Sequence, residues 1–546
     1  MSHVGGAATA GEGSAATATA VSGRSPVPSE KTAIGSWLCA EGPYRKYIEA
    51  LSGSNPGLKR ADPNNEEGSF IHGNALVVLL DAPATGQPGF ETTEFQNSTQ
   101  LQSHFETASH DHERRRIYIM EGLAPDYVSV IGGHFFMEPT FFQRQERTCV
   151  WSNDFTPVSD ALPQPSLLDP ETSFHLQYCE LRQFNKAIEN RYYFCSRTRR
   201  HVGMTAPRIE ESTTGILRRK VSWWSRKTSK GGWDVVILCD PQLLHLSPPP
   251  KEVVRGESTL RDIPNVSEVV KNGPFQEGYI DFLPPLPRDQ IESKKAHPHC
   301  SMLRDLMHYY QQHSDLLAEE EWETPAVSSI FLKKIVAANY LQLVDYIKAM
   351  LPSLELRLTT AWVNEQDQWK SLQIISRRCG NYRDDIEDSL LSLGYPLDGQ
   401  LAIKSDWKDC RKDFQYVYFR LKILKDRADN LMQAMTGLAS IAGNRQNLEE
   451  AKRVKRLNIL ALLFIPLAYT SSLFSMQDNY APNKGHFWVY WVSALGVVAF
   501  TAAVTWILDS VLDDEAQWAL KPIFLKFWDK REKKPRAVKR KQTLLY

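Results

Sequence analysis

His297, His299 and Cys300 stand together in the sequence HPHC. Imidazole and thiolate are the donor types that zinc-like ions take. A single short cluster of this kind in a proline-rich stretch more often holds no metal, so no ligand set is assigned from it. The eight cysteines are scattered without a CxxC pair, which argues against a zinc ribbon or a secreted disulfide scaffold and fits a reducing compartment. The acidic runs Glu319–Glu321 and Asp384, Asp385, Glu387, Asp388 read as solvated faces rather than ion sites. No Walker loop, GxGxxG, HExxH or GxSxG sequence occurs, and the Gly-Gly pairs at 132–133 and 231–232 lack a phosphate-cradling context. The run VSWWSRK at 221–227 is too brief and too poor in surrounding basic residues for nucleic acid and reads as a strand. The 64 basic and 64 acidic residues cancel, so no polyanion partner is indicated. These absences argue against an enzyme.

The elements that dominate the chain are apolar. Leu457–Phe474 and Phe487–Leu508 are 18 and 22 residues without a charge. At a rise of about 1.5 Å per residue they cover roughly 27 and 33 Å, matching a hydrocarbon core of about 30 Å. Trp488, Tyr490, Trp491 and Trp506 sit at the ends of the second segment, as interfacial aromatic residues do. The 12 residues between the segments suit a tight hairpin. Lys452, Arg453, Lys455 and Arg456 precede the first segment and ten basic residues lie in 521–541, against Lys484 alone in the loop. The positive-inside rule therefore expects both termini in the cytosol and the loop outside.

Ahead of the membrane, Phe414, Val417, Leu421, Leu424, Ala428, Leu431, Met435, Leu438 and Ala442 repeat at spacings of three and four. That pattern predicts a coiled seam, either between subunits or inside one. No proline interrupts it before Pro466, so one helix of about 60 residues is expected to run from cytosol into bilayer. Residues 299–323 and 326–356 read as helices broken at Pro325. The segment 241–300, with 10 of the 31 prolines, reads as a partly ordered connection. Short runs rich in Val, Ile and aromatic residues at 75–80, 116–120, 192–196, 216–224 and 233–239 predict strands. Helical stretches around Ser129 and at 138–144 complete an α/β domain. The Ala, Gly, Ser and Thr-rich start has too little apolar surface to fold and no secretory h-region.

This arrangement resembles the CorA metal-ion transporter family. Its signature Gly-Met-Asn lies nine residues after a proline; here Pro466 is followed at that distance by Ser475-Met476-Gln477. The stretch NRQNLEEAKRVKRLNILALLFIPLAYTSSLF looks like the family's stalk-to-membrane junction, and RRIYIMEGLAPDYVSVIGGHFFMEPTFF from Arg115 looks like the N-terminal domain of a fungal branch. The resemblance implies an α+β cytosolic domain, a long stalk helix and two C-terminal transmembrane helices in a funnel-shaped homopentamer. It implies a pore lined by Ala451, Val454, Leu457, Ile465, Ala468 and Ser472, with the selectivity motif Ser475, Met476, Gln477 at the mouth. Neutral amide oxygens there would select a hydrated divalent ion through its water shell, and Asp478 would concentrate cations nearby. Serine replaces the signature glycine and glutamine the asparagine.

The expected organisation is a disordered tail at 1–32, an α/β domain at 33–240 and a proline-rich linker at 241–300. A helical region with the stalk at 301–456, a two-span hairpin at 457–508 and a basic tail at 509–546 follow. The expected function is Mg2+-like divalent-cation transport across the plasma membrane, with no cofactor beyond the transported ion. The lipid bilayer and further copies of the chain are the expected partners, and nucleic acid is not one. The alternative is a non-conducting membrane scaffold or sensor on the same fold.

Overall fold

The structure is a computed structural model that describes residues 37–59, 61–62, 75–108, 113–147, 164–167, 169–185, 193–204, 213–247, 251–253, 260–262, 271–284, 297, 299–360, 365–397, 406–475 and 485–512. The tail expected at 1–32, the residues Met476, Gln477 and Asp478, and the basic run at 521–541 lie outside them. The chain divides into two compact units, Met1–Gln433 and Ala434–Tyr546.

The first unit is built on a mostly antiparallel sheet. Its strands are β1 (Leu76–Pro83), β2 (Glu91–Phe95), β3 (Arg114–Glu121), β4 (Ser173–Phe184), β5 (Tyr193–Cys195), β6 (His201–Met204), β7 (Thr214–Lys227), β8 (Trp233–Cys239) and β9 (Leu246–Ser247). Among the described residues β10 (Lys251–Val253) and β11 (Leu260–Asp262) pair with each other alone, and β12 (Asn272–Pro274) joins the main sheet beside β4. The order is β2-β1-β3-β8-β7-β6-β5-β9, and β7 also carries β4. β7 is the spine of the sheet: Val221–Lys227 pair with β8 and Thr214–Trp224 with β4. The single parallel pairing in this order joins β3 to β8, from Arg115↔Trp233 to Glu121↔Cys239. The segment expected as a linker thus contributes strands to the domain.

Side chains alternate across the sheet and both faces are covered. Val77, Leu79, Tyr118, Met120, Val236 and Leu238 pack under α1 (Pro43–Leu51), α2 (Ser98–Ala108) and α3 (Pro125–Phe135), with α4 (Thr140–Glu146) beside them. Gly132 of α3 touches the Tyr44 ring, and an added Cβ would lie 2.3 Å from it, so only glycine allows this approach. On the other face the Trp233 indole donates to Trp322 O at 2.8 Å, and Trp223 donates to Ser328 Oγ at 3.0 Å. α5 (Met302–Gln312), turns across 314–328 and α6 (Ser329–Thr360) form that cover. Tyr340 of α6 donates to Gln177 O on β4 at 3.1 Å.

α7 (Glu365–Ser392) buries Leu372, Ile375, Cys379, Tyr382, Ile386 and Leu390, a helix-periodic stripe. α8 (Cys410–Ser475) is continuous for 66 residues, with Pro466 inside it. Its seam residues Phe414, Val417, Leu421, Leu424 and Ala428 are buried within the first unit. Lys334 of α6 meets Asp413 at 2.6 Å, and Ser376 of α7 hydrogen-bonds Asp429, which tie α8 to its own chain. Further along, Leu438 and Ile441 are exposed. α9 (Phe487–Leu512) is the last described helix.

Candidate functional site

In the second unit, α8 and α9 present almost entirely apolar, uncovered surfaces. Leu457, Leu460, Phe464, Ile465, Tyr469, Trp491, Leu495 and Phe500 are exposed. Both helices are long and apolar enough to cross a membrane, and among the described residues their 18-residue apolar windows are only 11% and 6% buried. Burial concentrates at Pro466 and Thr470 on α8 and at Ala494 on α9, with the Phe474 and Tyr490 rings 5.9 Å apart.

Pro466 has no N–H to give Leu462 O, so the backbone ladder loses a bond one turn earlier. The Thr470 hydroxyl donates back to Pro466 O and to Leu467 O, both at 3.0 Å, and buries its polarity within its own helix. Ala451, Val454, Leu457, Ile465, Ala468 and Ser472 are all exposed. At 3.6 residues per turn they fall on one side of α8, away from Pro466 and Thr470. Ser475 ends the described helix and donates to Ser472 O at 2.8 Å. The structure therefore brings six of the expected pore residues onto one face, while the amide-bearing end of the motif lies outside the described residues.

The structure separates the members of the HPHC grouping. Cys300 is exposed, but His297 and His299 converge on Asp305 of α5. His297 Nε2 lies 3.1 Å from Asp305 Oδ1, and His299 Nδ1 lies 3.3 Å from Asp305 Oδ2. Asp305 is in the first turn of a helix capped by Ser301, whose hydroxyl accepts from Arg304 N at 3.4 Å. Tyr279 donates to Asp305 Oδ2 at 2.7 Å. Burial alone would raise the Asp305 pKa, but the bonds from His297 and His299 outweigh it and hold the carboxyl below its ordinary value. Burial, with His297 and His313 alongside, lowers His308 to about 4.

In the acidic run at 384–388, Asp384 and Asp388 are exposed, whereas Asp385 turns inward. Asp385 is largely covered and faces Arg218 of β7 at 3.7 Å. Burial outweighs Arg218 and, with Asp388 and Asp384 adding to it, moves the Asp385 carboxyl up to about 6. The seven described cysteines are free and six are buried; desolvation pushes Cys179 up to about 12, so it is no ready nucleophile.

An α/β domain followed by long helices, the last two apolar and uncovered, defines a membrane protein with a large non-membrane part. Residues 302–509 match the family model described as CorA-like Mg2+ transporter protein. The complete CorA magnesium transporter of Methanocaldococcus jannaschii aligns at 11% identity and a TM-score of 0.32, over 81% of this chain and 98% of that one. The full-length CmaX protein aligns at 11% identity and a TM-score of 0.31, over 80% of this chain and 98% of that one. No curated protein matches.

Proposed function

We propose that several copies of this chain form a divalent-cation channel whose pore is lined by the C-terminal part of α8. The observation that carries this reading is the uncovered α8 face bearing Ala451, Val454, Leu457, Ile465, Ala468 and Ser472. The described residues of one chain leave it open, and further copies arranged around an axis would close it into a tube. Val454, Leu457 and Ile465 would then form apolar constrictions that gate by dewetting, and Ser472 a hydroxyl ring. Gln477 would supply the amide oxygens that read the hydration shell of an incoming ion. Magnesium suits such a mouth because it dehydrates reluctantly. Lys452, Arg453, Lys455 and Arg456 support a cytosolic start of the hairpin, and by the same rule both termini would lie on that side. The family match supports divalent-cation transport at the level of the family. Pentameric stoichiometry and a plasma-membrane location are the finer parts of the proposal.

Liposome flux by the purified full chain tests it. The parent should conduct Mg2+, and Gln477→Ala should lose ion selection while remaining folded and membrane-inserted. The Ser475→Gly, Gln477→Asn double variant should keep or raise flux. Equal conduction with unchanged ion preference in Gln477→Ala would remove Gln477 from the mouth. A silent parent beside a conducting double variant would favour the non-conducting scaffold.

A further inference from the structure

Outside the membrane helices, three ligand-type side chains meet at the junction of the sheet domain and α5. The ligating atoms of His297, His299 and Asp305 all lie within 4.8 Å of one another. Their two nitrogen-to-oxygen separations are 3.1 and 3.3 Å. Four ligands at about 2.0–2.1 Å around a tetrahedral zinc-type ion stand roughly 3.3–3.4 Å apart, so the pair His297 Nε2 and Asp305 Oδ1 is already close to one edge of such a polyhedron.

Independent observations point to a built site. The Asp305 side chain is only 5% exposed, and Tyr279 holds its Oδ2, as an outer partner holds a ligating carboxylate. A cavity of about 30 Å³ opens beside His299 and Asp305, with Asn339 and Gln342 on its wall. That is room for about one water-sized occupant. Gly278, at φ 114°, faces the His299 ring, and a Cβ there would fall 2.5 Å from it. The backbone at this turn thus makes room for the imidazole. His297 is stacked on His308 at 4.0 Å with the planes 3° apart, which fixes the second ring.

We propose that His297, His299 and Asp305 form an intrasubunit binding site for a zinc-type divalent ion, with a water in the fourth position. Two imidazoles and one carboxylate suit zinc or cobalt. Magnesium prefers an octahedron of oxygens and is rejected by this donor set. The site is distinct from the ion path: its three ligands all belong to the Met1–Gln433 unit. Its occupant tethers residues 297–299 to the first turn of α5, and the site stands whether or not the chain conducts.

The test measures bound metal in the full-length protein in detergent, after incubation with zinc and removal of the excess, with millimolar magnesium present. The expected result is one cluster-bound zinc per chain, absent from a His297→Gln, His299→Gln double variant and retained in Gln477→Ala. The thermal midpoint of the parent should rise with zinc concentration, and that of the double variant should not. Zinc retained equally by the double variant, displacement by magnesium, or no zinc in the parent would overturn the site. Should the double variant fail to fold, cobalt loaded into the parent decides the matter. The visible absorption of a four-coordinate nitrogen and oxygen site supports it, and a six-coordinate spectrum refutes it.

Discussion

The stretch Pro325–Glu355, which contains most of α6, and the helix α9 are both long and apolar enough to cross a bilayer. The most apolar window of the first is 78% buried in its own chain, and that of the second 6%. Their polar residues explain the difference. In α6 several of them reach outward to other elements, Lys334 to Asp413, Gln342 to Phe275 O and Gly278 O, and Lys333 to the Phe174 ring, while Asn339 and Ser353 bond their own helix. In α9 they turn inward: Ser493 donates to Val489 O, Thr501 to Val497 O and Thr505 to Thr501 O. A helix whose polar groups need external partners belongs in a protein interior, whereas one that satisfies them on its own backbone can sit in lipid. Average hydropathy does not separate the two; the destination of each polar group does.

The largest test of that contrast puts one charge in each helix. Leu343→Asp buries a carboxylate where α6 is fully covered, at a cost of several kcal/mol, and should unfold the first unit. Phe500→Asp lies on the uncovered face of α9 and should leave that unit folded. It should instead weaken membrane integration by about 3 kcal/mol. Circular dichroism with limited proteolysis reads the first effect, and alkaline extraction of membranes reads the second. Should Phe500→Asp unfold the domain and leave extraction unchanged, α9 is a soluble element.

The same contrast runs along α8. Leu424 is buried against the chain's own helices and Leu438 is exposed. Leu424→Asp should therefore lower folding stability by a few kcal/mol. Leu438→Asp should leave folding intact and shift the detergent-solubilised protein toward smaller assemblies. Light scattering separates them, and an unchanged size for Leu438→Asp would free that face from subunit contact.

Acid should act on the first unit. Burial, with Arg144 and Lys220 nearby, holds His175 well below its ordinary pKa; burial and Arg226 lower His134 to about 4, and burial and Arg378 lower His201 to about 4. In the unfolded chain these groups protonate near the ordinary value of about 6.5. Between those values the unfolded state binds more protons, so stability is present above about pH 6.5 and is lost as pH falls toward 4. The thermal midpoint should drop over that window, and less steeply in His175→Gln. A parallel slope would show that His175 is not among the groups responsible.

The smallest effect is local. Asn97 Oδ1 accepts from Gln100 N at 2.9 Å and caps α2, so Asn97→Ala should cost about 1 kcal/mol in chemical denaturation. No measurable change would mean that water replaces the cap.

Strands β1, β3, β7 and β8 were legible as runs rich in Val, Ile and aromatic residues. β4, SFHLQYCELRQF, was not, because it contains no β-branched residue. Its signal is the alternation of Phe174, Leu176 and Tyr178, with period two. α7 was hidden by its charges, although Leu372, Ile375, Cys379, Tyr382 and Ile386 keep the helical spacing. The long stalk was readable because an uninterrupted heptad pattern runs directly into an apolar segment. Its change from covered to uncovered was not readable, since Leu424 and Leu438 occupy equivalent seam positions. Among the candidate sites, the histidines stood out in the sequence and their carboxylate partner did not. Asp305 looks like an ordinary acidic residue in the first turn of a helix until the fold brings residues 297–299 back onto it.

The parallel pairing of β3 with β8 sets a timetable for synthesis. As the chain leaves the ribosome, β3 can bond β1 at once, but its other edge stays open until Trp233–Cys239 have emerged. The face carrying Trp223 and Trp233 waits longer, for Trp322 and Ser328. Contacts this distant in sequence form slowly and leave a strand edge exposed meanwhile. A nascent chain arrested before residue 233 should therefore be held by chaperones and cut readily by protease. One extended past residue 360 should resist, because only then have both β8 and the helix covering the sheet been made.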